Sequence, residues 1–155
     1  MTKQRWLGTA LMLAACGGGP PPATQPATSA SGTVRNFMQA VADSNVEKMA
    51  SLWGTSGGPA SRTKQPPDYQ RRVAIMQAYL RNQSFRITSD TPEQDPNRRA
   101  VQVEIKRETC TWSVPFVTVK SSDGTWIITQ VDLAAAGNPA RPCMEPGSAD
   151  SAPQG

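Results

Sequence analysis

Histidine is absent from all 155 residues. That excludes Ser-His-Asp triads, imidazole acid–base catalysis and almost every zinc site, because each needs the side chain that titrates near neutrality. Charge is sparse too. Only 18% of residues are charged, and two of the 16 basic ones, Lys3 and Arg5, precede an apolar run at the N-terminus. The pI of about 9.3 therefore reflects a small, scattered excess and not a nucleic-acid footprint. Phosphate-binding loops are missing as well: Gly57-Gly58 opens no apolar helix, and Gly17-Gly18-Gly19 lies in a Pro-rich stretch. No serine sits in a Gly-x-Ser-x-Gly elbow. The sequence gives no reason to expect a cofactor, a metal or a nucleic-acid partner.

What is present begins with an address. Lys3 to Arg5 is followed by Trp6 to Ala15, an apolar run interrupted only by Gly8 and Thr9. It is about half the ~20 residues that a spanning helix needs, and the order of charge then apolar run is that of a secretory signal. The run ends Leu13-Ala14-Ala15-Cys16. These four residues resemble the lipobox of bacterial lipoproteins. The resemblance implies cleavage after residue 15 and acylation of Cys16, which becomes the first residue of the mature chain. Gly17 follows it where an Asp would signal inner-membrane retention, so the expected location is the cell envelope, lipid-anchored, on the periplasmic side of an outer membrane if the cell has one. Several acyl chains hold a soluble domain durably where one holds it marginally. Residues 17–32 contain no charge, aromatic or large aliphatic residue and read as a flexible tether; residues 144–155 read as a disordered tail.

Between them, residues 33–143 form one expected α+β domain. Val34, Phe37, Met38 and Val41 recur at helical spacing, with Thr33 as the expected N-cap. Asp43-Ser44-Asn45 breaks the pattern, and Ser44 with Glu47 has capping-box spacing for a second helix, in which Val46, Met49, Ala50 and Trp53 face one way until Gly54. Residues 54–66 have turn composition. A third helix opens at Pro67-Asp68, places Tyr69, Val73, Met76 and Leu80 on one face, and ends near Asn82. The period then becomes two. Phe85 to Thr88 is a short strand, and residues 91–97 a loop. Val101, Val103 and Ile105 alternate with polar residues, and Thr111 to Lys120 is a strand in which Pro115 argues for an edge or a bulge. Asp123-Gly124 turns the chain into a last strand, Trp126 to Val131.

Helices first and an antiparallel meander afterwards is an α+β order. The opening helix, the Asp43-Ser44-Asn45 break, the helix ending Leu52-Trp53-Gly54 and the final hairpin together resemble the nuclear-transport-factor-2-like superfamily. A cystatin-like arrangement fits the same order. The former implies a curved sheet wrapped around a long helix with an apolar pocket. The chain departs from that pattern at 54–66, where the family has a first pair of strands.

The expected ligand position is between the third helix and the concave sheet, with Trp53, Met76, Trp112, Phe116 and Trp126 as candidate lining and Asp132 at the mouth. Core packing is the competing role for the aromatics, and a solvated turn for Asp132. Three cysteines in an exported chain leave an even pair once Cys16 is lipidated, so Cys110 and Cys143 are expected to form a disulfide. Three function classes remain: an envelope lipoprotein binding a partner or a small apolar ligand, an accessory subunit of an envelope complex, and a small isomerase- or cyclase-like pocket enzyme acting on a hydrophobic molecule. The absence of histidine weighs against the last, and no catalytic residue is assigned.

Overall fold

The computed structural model of the protein describes residues 29–141 and 143. The expected leader, the expected lipidation site Cys16, most of the expected tether and the expected tail at 144–155 lie outside the described residues. Helices α1 (Ala30–Ala42), α2 (Val46–Leu52), α3 (Ala60–Thr63) and α4 (Tyr69–Leu80) precede the main sheet, and a two-residue pair, β1 (Gly54–Thr55) with β2 (Gly58–Pro59), sits between α2 and α3. The main sheet is antiparallel, in the order β3 (Ser84–Pro92), β4 (Arg98–Arg107), β5 (Cys110–Lys120), β6 (Trp126–Val131), and it is not closed. A short 3₁₀ turn, Ala134–Ala136, follows β6. The expected α+β class holds. Among the described residues, no helix is long and apolar enough to cross a membrane.

The core lies between α1 and one face of the sheet. Val34, Phe37, Met38 and Val41 project from α1 onto Val101, Val103 and Ile105 of β4 and Val114 and Phe116 of β5, all essentially without solvent exposure. The rings of Phe37 and Phe116 meet edge to face at 6.1 Å between centroids. Period-two alternation put these strand residues on one face, and the register confirms it: Val101 pairs Phe116, and Val103 pairs Val114.

The helix starts differ from the sequence reading. Ser29, not Thr33, caps α1, its hydroxyl accepting from the Gly32 amide at 3.1 Å. Thr33 is fully buried one turn in, and its hydroxyl donates toward the carbonyls of Ser29 and Trp126. Residues 30–32 therefore belong to the domain and not to the tether. At α2 the cap is Asn45, accepting from Lys48 N, while Ser44 takes a left-handed φ of 54°. Val46 does not face the core and is 47% exposed. Two turns of helix are too few for the phase of an apolar stripe to be fixed.

Residues 54–63, read as turn, hold the β1–β2 pair and α3. Gly54 is required there: a Cβ would come within 2.3 Å of the Gly58 carbonyl oxygen. β3 runs on to Pro92, well past the expected end at Thr88. α4 spans the expected face, with Val73, Met76 and Leu80 buried, but its C-cap is Arg81, and Asn82 donates back to the Leu80 carbonyl.

Pro115 lies in β5, which is an interior strand and not an edge strand as expected, but it stands just past the end of the pairing with β6; the β5–β6 bulge is two residues further on, at Val117/Thr118. Its carbonyl accepts from Asp132 N at 3.0 Å, so its ring occupies a donor position where β6 has already ended. Between β5 and β6, Asp123 accepts from the Ser121 hydroxyl and the Thr125 amide, which holds its carboxyl at about 2. Gly124 supplies the positive φ of 82° that the turn demands.

Candidate functional site

An open groove of about 550 Å³ runs between α4 and the end of β6. The helix contributes Arg72, Ile75 and Met76, whose i, i+3, i+4 spacing stacks them on one side. Trp53 closes one flank, held beside β6 by an isolated parallel bridge to Ile128. The floor is Pro115 and Val117, and the far wall is Thr129 to Leu133. Ile75 is 41% exposed here, one of two large hydrophobic side chains so exposed among the described residues.

Of the six residues expected to line a ligand site, the structure brings Trp53, Met76 and Asp132 to this groove. Phe116 is fully buried against Phe37 in the core. Trp126 is buried beside the start of α1, where its carbonyl accepts from Thr33. Trp112 packs at the opposite end of β5 under the C-terminal segment. These three do not line the groove. Their side of the sheet was legible, but strand parity does not fix position along the strand: Trp112 and Phe116 share a face yet stand about 13 Å apart at ~3.3 Å per residue.

The groove's charged groups are committed to structure. Arg72 pairs with Asp68 at 2.9 Å on the exposed surface of α4, and this hydrogen bond holds the Asp68 carboxyl below its usual range. Asp132 is exposed, and its carboxylate accepts from the amides of Ala134 and Ala135 at 3.1 and 3.3 Å. Both bonds hold the backbone at the start of the following turn. The groove therefore offers apolar surface with a polar rim and no paired acid and base. Ile75, Val117, Val131 and Leu133 were not singled out from the sequence. Ile75 and Val117 lie one position from Met76 and Phe116, whereas Val131 and Leu133 lie at and just beyond the end of β6, and only the meeting of α4 with the end of β6 makes them neighbours.

The C-terminal segment that follows β6 forms the groove's end wall and then doubles back. Cys110 and Cys143 are disulfide-bonded, with Cα atoms 5.8 Å apart. Their loop spans 33 residues, for which the chain-entropy account gives about 3–4 kcal/mol of stabilisation. Beside the bond, the Arg107 guanidinium lies over the Trp112 ring at 4.4 Å and donates to the Ala136 carbonyl. Its Nε is buried with no hydrogen-bond partner among the described residues, and burial pushes its pKa down against the opposing charge of Glu108. Gly137 lies flat on Trp112: a Cβ there would fall 2.5 Å from the indole nitrogen.

The described residues contain no group of three or more His, Cys, Asp or Glu side chains able to hold a metal ion. Cys16, the expected lipidation site, lies outside them. Comparison with protein-family models, curated proteins and solved structures found no match to this chain.

Proposed function

We propose that the protein is a membrane-anchored lipoprotein of a bacterial cell envelope whose domain is a binding or accessory module and not an enzyme. The anchor is the lipid on Cys16 and the location is the periplasmic side of an outer membrane where the cell has one. The domain follows the nuclear-transport-factor-2-like plan of helices against a curved open sheet, with a minimal β1–β2 pair where that plan has its first strands. The observation that carries the binding reading is the α4–β6 groove: its lining is mostly apolar, it is open, and its two charged side chains, Arg72 and Asp132, are already engaged. A site of that kind orders an apolar group of a ligand or partner by burial, without proton transfer.

Two measurements test this. Intact mass of the native protein should show residues 1–15 removed and acyl chains added, and Cys16→Ser should release the protein from the membrane fraction. Native protein starting elsewhere without acyl chains sinks the anchor. An uncharged apolar fluorescent dye, 1-anilinonaphthalene, should bind the folded chain and lose roughly tenfold in affinity, about 1.4 kcal/mol, on Ile75→Asp. Unchanged dye binding in a folded variant removes the groove from the proposal.

A further inference from the structure

We propose that residues 132–143 are a redox-released strap: the Cys110–Cys143 disulfide holds them closed as the end wall of the α4–β6 groove, and reduction opens that wall while the rest of the domain stays folded. The inference rests on the groove reading above for its functional consequence, and on the strap's own packing for its mechanics.

The packing is thin. Among the described strap residues only Ala136 is fully buried, and Asn138, Pro139, Ala140 and Arg141 are exposed. At its root the strap is tied to β5 by the Asp132 amide, which donates to the Pro115 carbonyl at 3.0 Å; beyond that, besides the disulfide, it is held to the sheet by the Arg107 bond to the Ala136 carbonyl, the contact of Gly137 with Trp112, and a 3.5 Å hydrogen bond from the Thr109 hydroxyl to Cys143 Sγ. Segments with so few buried contacts open without global unfolding. One of these holds also works against closure. Arg107 is partly buried, and its Nε is enclosed with no hydrogen-bond partner among the described residues, so opening returns that N–H to water. The covalent bond offsets that preference.

The bond is within reach of a reductant, since Cys110 and Cys143 are both only half-buried and sit next to the exposed Glu108–Thr109 turn. A dithiol attacks one sulfur, the S–S bond breaks through a mixed disulfide, the second thiol of the reagent closes on the first, and both cysteines leave as thiols. Leu133 and Asp132, the wall residues, are the root from which the released segment extends, so loosening of residues 134–141 is what reaches the wall. The rest of the domain is held by a core to which the strap contributes Ala136, with Leu133 packed at its margin.

The test uses the full chain, oxidised and after a dithiol, together with Cys110→Ser/Cys143→Ser. Amide hydrogen exchange at 134–141 should accelerate about tenfold or more on reduction while α1 and β4 keep their protection. The double variant should show the same pattern without reductant. Groove binding of the anilinonaphthalene dye should weaken in step. Unchanged exchange at 134–141 after both thiols have been alkylated overturns the strap. Uniform acceleration across α1 and β4 also overturns it, by making the disulfide a staple of the whole fold. A loosened strap with unaltered dye affinity overturns the control of the groove. A strap that opens in a protein that never binds the dye leaves the device standing and removes the groove reading alone.

Discussion

The two ends of the domain are fastened to the same sheet by opposite means. The chain enters as α1, which buries Ala30, Thr33, Val34, Phe37, Met38, Ala40 and Val41, and whose first turn is pinned when the Ser31 amide donates to Asp90. Asp90 is itself fixed by Arg99, which reaches both its carboxylate and its carbonyl. The chain leaves as a strap whose described residues bury Ala136 alone and which is tied by a disulfide. Where a segment buries a stripe of apolar side chains, burial alone offsets its ordering entropy; where it buries one alanine, a covalent bond is needed.

The largest expected effect strikes the entering end. Phe37→Ala removes a fully buried ring packed on Phe116 and should destabilise by about 3–5 kcal/mol, read from the denaturant midpoint at unchanged slope. A loss under about 1 kcal/mol would mean that α1 is held by its polar ties instead. At the leaving end, Gly137→Ala drives a methyl into Trp112 at a φ of 68°. Relief is local, so the expected cost is about 1–2 kcal/mol, accompanied by faster exchange of the strap amides alone. Global loosening would erase the contrast between the ends. Smallest is Asp90→Asn. It keeps an acceptor for Ser31 and removes the charge facing Arg99, and those two side chains are 22% and 30% exposed. About 0.5–1 kcal/mol is expected, falling further as salt is added.

What was readable in advance divides along the same line. Strands β4, β5 and β6 announced themselves because alternation, a Gly-bearing turn and a buried face agree, as with Val101, Val103, Ile105 and the Asp123-Gly124 turn. The start of α1 was less legible: Ser29, Ser31 and Thr33 are all acceptable caps, and the choice is made by Thr33 reaching the Trp126 carbonyl, 93 residues away. The disulfide could be inferred from the cysteine count once Cys16 is set aside. The groove was legible only in part. Trp53, Met76 and Asp132 were placed near it by face and strand end, whereas Ile75 and Leu133 became lining through the angle between α4 and β6, which no local pattern encodes. Trp112 was assigned to a pocket because its partner, Gly137, looks in the sequence like an ordinary loop glycine.

Pro115 has a consequence for how the last hairpin finds its alignment. With its carbonyl joined to Asp132 N, the strand pair ends where its ring begins. Any pairing that drew more of β6 past this point would set an interior carbonyl against a residue with no hydrogen to give. The proline thus acts as a doorstop for the hairpin: it raises the energy of over-extended alignments without touching the native one, and leaves Asp132 where the chain must turn away from the sheet.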